Sequence, residues 1–219
     1  MARVRPVPRM TIPADAGVRR RAADGVLVAA GLAVLLTGMA VVGGDGGLPG
    51  WEADLFLTVN GLPGELHPVL WPFQQFGAIG AAPVVAIIAW LAGRRRLALA
   101  AIVAAMAKLM LERIVKAIVT RERPAASIGP DINLRGDVQI SGESFVSGHA
   151  AMAAVLAVVV TPWLPARWRV APWVLVGLVM IGRMYVGAHL PLDVVCGAAL
   201  GLAVGGSLNL LLGVPERPA

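Results

Sequence analysis

The sequence predicts an all-α integral membrane protein, a six-transmembrane-helix bundle with short interfacial helices between the first and second spans. Three observations carry that expectation. Of 219 residues, 58% are hydrophobic and 15% charged, whereas a soluble domain carries about 25% charged residues. Apolar runs near the roughly 17–25 residues needed to cross a bilayer recur too regularly for separate domains. Arginines collect at the ends of those runs and not along one soluble face, so the formal charge of +6 does not indicate a nucleic-acid partner. The single cysteine, Cys196, lies inside an apolar run and cannot close an internal disulfide. Ala-, Val-, Gly- and Arg-heavy, lysine-poor usage points to a bacterium of high GC content.

Residues 1–24 are polar, with Pro6, Pro8, Pro13 and six arginines, and are expected to form a cytoplasmic disordered basic tail. Residues 26–43 form the first span. The run exceeds the roughly 7–15 apolar residues of a signal peptide and no A-x-A site follows, so it reads as an uncleaved anchor. Residues 44–75 hold Asp45, Glu52, Asp54 and Glu65 but no Lys or Arg. The stretch EADLFLTVNGLPGELHPVL reads as short amphipathic helices at the interface, broken at Gly61–Gly64, with His67 a surface residue. The remaining spans are expected at 76–92, closed by Arg94, Arg95 and Arg96, then at 97–119, 149–164, 170–187 and 191–213. A polar connection occupies 120–146. Short loops make neighbours antiparallel, and residues 25–214 form one membrane domain.

Orientation follows from the positive-inside rule. With a cytoplasmic N-terminus, the inner segments hold Arg3, Arg5, Arg9, Arg19, Arg20, Arg21, Arg94, Arg95, Arg96, Arg167, Arg169 and Arg217. The outer loops hold Arg121, Arg123 and Arg135, with Lys116 and Arg183 at outer helix ends. Trp51 and Trp71 fall on the outer side, and Trp90, Trp163, Trp168 and Trp173 near the inner one, as an aromatic belt requires. The expected location is a bacterial inner membrane.

Three outward-facing segments carry chemistry. In Lys116–x6–Arg123–Pro124, the lysine is a point charge at a helix end and the arginine a planar fork suited to phosphate; snorkelling at the interface is the structural alternative. Ser147-Gly148-His149 precedes the fourth span. There serine caps a helix whose free N–H groups attract an anion, and His149 is placed to protonate a leaving oxygen. In Arg183–x5–His189–x3–Asp193, a near-helical turn sets His189 and Asp193 on one side. A carboxylate holding one imidazole nitrogen leaves the other free as a nucleophile; a His–Asp pair that merely closes the turn is the alternative. Pro191 suits the first position of the last helix. Lys108, Glu112 and Lys116 share one helical stripe, where Glu112 is expected to pair with a lysine. Arg121 and Arg135 read either as solvated loop charges or as holders of a second phosphate.

In this order the segments KAIVTRERP, VSGH and GRMYVGAHLPLD resemble the signature of the type-2 phosphatidic acid phosphatase family, K-x6-R-P, P-S-G-H and S-R-x5-H-x3-D. The family shares its site with vanadium haloperoxidases and bacterial acid phosphatases. The resemblance covers roughly residues 50–213. Val146 replaces the pattern's proline and Gly182 its serine; no charged or titratable member is lost. The resemblance implies that His189 attacks phosphorus and forms a phosphohistidine, that Asp193 orients it, and that His149 protonates the leaving group and then activates water. It implies that Lys116, Arg123, Ser147, Gly148 and Arg183 bind phosphate, and it implies no metal or other cofactor. The expected function is hydrolysis of a membrane lipid phosphate or diphosphate at the outer face. Polyprenyl diphosphate, phosphatidate, phosphatidylglycerophosphate and a glycosylated polyprenyl phosphate all fit the sequence, which leaves the oligomeric state open. A vanadate-dependent oxidase and an anion-binding transporter are the alternatives.

Overall fold

The computed structural model describes residues 17–44 and 47–216. Residues 1–16, most of the expected tail, and Asp45 and Arg217 lie outside the described residues. The chain is mostly helical: α1 (Ala22–Val42), α2 (Gly50–Asn60), α3 (His67–Gln74), α4 (Ala81–Leu91), α5 (Arg95–Ile118), α6 (Pro124–Ser127), α7 (Gly148–Val160), α8 (Ala171–Tyr185) and α9 (Pro191–Leu212). Two short strands, β1 (Val18–Arg19) and β2 (Val214–Pro215), pair antiparallel.

The bundle is built around α9. A Cβ at Gly201 would stand 2.5 Å from the Ala151 carbonyl oxygen of α7, and one at Gly197 would overlap the Ser147 carbonyl. Elsewhere on α9, Gly206 meets the backbone of Asp24, while Gly31 of α1 meets the Ala199 carbonyl and the Ala203 amide. Lipid is as apolar as leucine, so membrane helices hold together by close van der Waals approach, which small residues permit. Every residue of α7 from Ala150 to Val159 is buried. α8 packs on α7 and α3, and α4 on α5.

Contacts decide which ends lie together. Asn209 Nδ2 donates to Asp24 Oδ1 (3.0 Å) and to the Val158 carbonyl (3.2 Å), and Arg94 Nη1 donates to the Trp163 carbonyl (3.2 Å). The starts of α1 and α5 therefore share one end with the close of α7 and α9. At the opposite end the Ser147 N–H donates to the Asp193 carbonyl (2.9 Å).

Three expectations change. Helix α1 starts at Ala22, inside the expected tail, because Asp24 is buried on Arg21 (2.6 Å) and Asn209. The expected second span at 76–92 is not one helix: Gly64–Gly77 and Ala81–Leu91 meet at 67°. Gly77, Gly80 and Pro83 sit at that break, where proline lacks the N–H that would continue a helix. α1 and α9 are each long and apolar enough to cross a membrane, and the bent pair is a third candidate. The short helices after α1 are more than interfacial. Glu52, Phe56 and Asn60, spaced by four along α2, are all buried.

Candidate active site

The turn between α8 and α9 is built by its sequence. The Arg183 carbonyl at the end of α8 accepts the N–H groups of Ala188 (3.0 Å) and His189 (3.3 Å). Gly187 supplies φ +83° in between, a region that side chains disfavour. Pro191 opens α9, and Asp193 in its first turn reaches back to accept the Leu190 N–H (2.9 Å). That reach-back explains the i, i+4 step from His189 to Asp193: the cap that starts the helix carries the carboxylate to the imidazole. His189 Nδ1 lies 3.5 Å from Asp193 Oδ2. Ser144 Oγ donates to the same carboxylate oxygen at 2.5 Å and stands 3.5 Å from His189 Nδ1.

The other oxygen, Asp193 Oδ1, accepts Arg121 Nη1 (2.8 Å). Arg121 also forks onto Glu52, at 3.0 and 2.5 Å, and Glu52 Oε1 accepts the Leu192 N–H (2.8 Å). Glu52 and Asp193 are fully buried. Burial works against the Arg121 charge, but Glu52 and Asp193 outweigh it and raise its pKa. Burial lowers the His189 pKa to about 4, despite the opposing pull of Asp193. The imidazole is therefore neutral near pH 7, the form with a free nitrogen lone pair.

The donors lie around this pair. Ser147 is the N-cap residue of α7, yet its hydroxyl makes no capping bond. Ser147 Oγ and Arg183 Nε are buried without a hydrogen-bond partner. Arg183 Nη1 donates to Gln74 Oε1 (3.0 Å). Arg183 and His189 both act electrostatically on His149, the second residue of α7. Lys116 Nζ meets the Glu143 carbonyl (3.1 Å) and stands 3.5 Å from Glu112, which also pairs with Lys108 at 2.5 Å. The expected stripe pairing is thus found. Its carboxylate also packs on Gly148, where a Cβ would meet it at 2.6 Å. Arg123 is buried, with donors to the carbonyls of Ala188 and Ser141 (both 3.0 Å); burial lowers its pKa. Lys116, Arg123, Ser147, Gly148, His149, Arg183, His189 and Asp193 thus gather at one end of the bundle.

The PAP2 superfamily profile matches residues 95–213, more than half of the chain. The chain belongs to the PAP2 superfamily. It is a lipid phosphate hydrolase of that group. It is 26% identical over 167 residues to an undecaprenyl-diphosphatase from Sulfolobus acidocaldarius, covering 74% of this chain and 78% of the relative. The crystal structure of Aquifex aeolicus LpxE aligns with TM-score 0.65 and 26% identity over 72% of this chain and 93% of its own. A transmembrane PAP2-type phosphatidylglycerolphosphate phosphatase from Bacillus subtilis shares the fold, with TM-score 0.65 and 20% identity over 82% of this chain and 94% of its own.

Where this PAP2 chain departs from the pattern, the structure supplies a neighbour. A Cβ at Gly182 would stand 3.0 Å from Gln74 Cγ, so the missing serine leaves room for the glutamine that holds Arg183. Val146 is fully buried. Sequence reasoning missed four contributors: Ser144, Gln74, Glu52 and the inward role of Arg121. Only Glu52 left a trace, as the first member of an i, i+4, i+8 series with Phe56 and Asn60.

Proposed function

We propose that this chain is a metal-independent phosphatase that hydrolyses a lipid phosphate or diphosphate through a phosphohistidine, at the outer face of a bacterial inner membrane. Six crossing segments, namely α1, the bent pair at 64–91, α5, α7, α8 and α9, would place the pocket at that face. One observation carries the reading. Two buried donors, Ser147 Oγ and Arg183 Nε, have no acceptor, and they flank the start of α7 beside His149 and His189. A buried donor without a partner costs about 1–3 kcal/mol, and a phosphate oxygen removes that cost.

In this mechanism the phosphoryl oxygens take hydrogen bonds from Ser147, Arg183 and the first N–H groups of α7, with Lys116 and Arg123 adding positive charge. The neutral His189, oriented by Asp193, attacks phosphorus through Nε2. The P–O bond to the lipid breaks, and its oxygen takes a proton from His149. Water then attacks the phosphohistidine, His149 accepts its proton, the P–N bond breaks and phosphate leaves.

The second-phosphate role expected for Arg121 and Arg135 is withdrawn. Arg121 is committed to Glu52 and Asp193. Arg135 donates to the carbonyls of Asn60, Tyr185 and Leu62 and stacks over the Tyr185 ring at 4.1 Å. A polyprenyl diphosphate is supported instead by the Sulfolobus relative and by an apolar groove of about 730 Å³ between Phe76, Val84 and Ile88 on one side and Ala153, Leu156 and Val160 on the other. Phe76 and Ala78 of its lining flank Gly77, which packs against the His149 carbonyl.

The test is phosphate release by purified protein from the four lipids named above, with and without EDTA and vanadate. Polyprenyl diphosphate should be cleaved fastest, vanadate should inhibit, and EDTA should change little. A quench at alkaline pH should trap phosphohistidine in wild type and none in His189→Ala. Loss of turnover on metal removal, or no trapped adduct, would sink the mechanism.

A further inference from the structure

A second polar cavity lies at the other end of the bundle. It has a volume of about 400 Å³ and is lined by Arg19, Arg20, Arg96, Leu99 and Leu211. The β1–β2 pairing fixes the backbone of Arg19 beside the end of α9, and Arg20 Nε is held on the Leu210 carbonyl (2.8 Å). No carboxylate forms an ion pair with these three arginines among the described residues. Of the acidic groups nearby, Asp24 is engaged by Arg21 and Asn209, and the Glu216 carboxylate lies beside Gly17 and forms no ion pair with these arginines. Leu99 and Leu211 are 56% and 72% exposed, and Arg19, Arg20 and Arg96 are exposed beside them, so cationic groups and an apolar leucine rim share one open cavity.

We propose that this cavity binds the headgroup of an anionic glycerophospholipid from the leaflet opposite the phosphatase site. The 22 residues of α9 rise about 33 Å, close to the roughly 30 Å hydrocarbon thickness. Because α9 carries Asp193 in its first turn and ends at the cavity, one lipid cannot fill both sites. Arginines placed only to orient the chain need no cavity, and three others at this end, Arg94, Arg95 and Arg169, have protein partners, while Arg167 does not line this cavity. Arg94 bonds the Trp163 carbonyl, Arg95 stacks over Trp90 at 5.3 Å, and Arg169 reaches the Leu164 carbonyl. The side chains of Arg19 and Arg96 have no such partner among the described residues. A phosphodiester supplies the oxygens that guanidinium groups fork onto, its acyl chains cover the leucine rim, and basic pockets between helix ends are where anionic lipids bind.

The experiment compares thermal unfolding of the purified full chain in neutral detergent with added phosphatidylglycerol, phosphatidylcholine or inorganic phosphate. Phosphatidylglycerol should raise the midpoint by about 5 °C near saturation, with little change from the other two. Arg19→Ala/Arg96→Ala should lose at least half of that rise while hydrolysing a nitrophenyl phosphate within about twofold of wild type. Arg96→Gln is the milder variant if the double one unfolds. Arg167→Ala, another exposed arginine of this end, should keep the full rise. An equal rise with phosphatidylcholine, a rise undiminished in the Arg19 and Arg96 variants, or an equal loss in Arg167→Ala would overturn the proposal. An equal rise with inorganic phosphate would overturn the lipid as its source.

Discussion

Asp193 does three jobs with two oxygens: it caps α9, faces His189, and closes a buried chain through Arg121 to Glu52. The motif spacing made the second legible in the sequence; the cap emerged only from the structure. The third was not legible either, because Glu52 stands far upstream in a segment whose acidic composition suggests an aqueous surface. Arg121 is therefore a positioning residue. Arg121→Ala should leave two buried carboxylates unpaired, at a cost of about 3–5 kcal/mol, read as a lowered unfolding midpoint together with a loss of kcat. Arg121→Lys, unable to fork, should recover only part of both. Turnover unchanged in Arg121→Ala would show that Ser144 and the Leu190 N–H orient Asp193 unaided. His189→Ala should abolish hydrolysis. His149→Ala should slow an alkyl phosphate far more than a nitrophenyl one, since a nitrophenolate needs little proton donation; equal losses would contradict the acid role. His189 also makes a pH prediction. Its folded pKa is depressed to about 4 against about 6.5 when unfolded. The unfolded chain thus binds more protons between those values, so this stability is present above about pH 6.5 and lost as pH falls toward 4. His189→Gln should flatten that decline in the unfolding midpoint.

Helix order and most boundaries were legible from apolar runs and their arginine stops, because chain composition and bilayer thickness act on whole segments. The break before α4 was underestimated. Its Gly and Pro signals lie within a stretch apolar enough to pass for one span, and only packing against α7 decides where the chain turns. The seam between α7 and α9 was likewise hidden, since alanine and glycine there look like ordinary membrane composition. It sets the site's geometry, holding the start of α7 against the start of α9. At Gly201 a Cβ meets a carbonyl oxygen at 2.5 Å and Ala154 Cβ at 2.7 Å, and backbone cannot yield as a side chain can. Gly201→Ala should destabilise by about 1–3 kcal/mol through overpacking and lower turnover. Gly177→Ala in α8, with nothing within 4 Å, should be neutral or slightly stabilising. A Gly201→Ala protein as stable and active as wild type would mean that the seam is looser than drawn.

For the molecule as a whole, the helix contacts put the candidate active site and the Arg19–Arg96 cavity at opposite ends of the bundle. Cysteine labelling tests which face is outside. In a Cys196→Ser background, Asp137→Cys should react with an impermeant maleimide on intact cells and Arg95→Cys should not; the reverse pattern would put the site in the cytoplasm. A further long-range feature that no local sequence pattern announces joins α1 and β1 to α9 and β2. α1 packs chiefly on α9, the first long helix on the last, and β1 closes on β2. During synthesis from the N-terminus, α1 must wait in the bilayer for its partner until the whole catalytic constellation has been made. Asp24 meanwhile has Arg21, three residues away, as its local partner, and gains Asn209 only at the end. Assembly of α1 thus acts as a completeness check. A nascent chain that stops before α9 keeps α1 undocked and open to membrane quality control, whereas one that includes α9 and β2 fastens α1 and β1 to them.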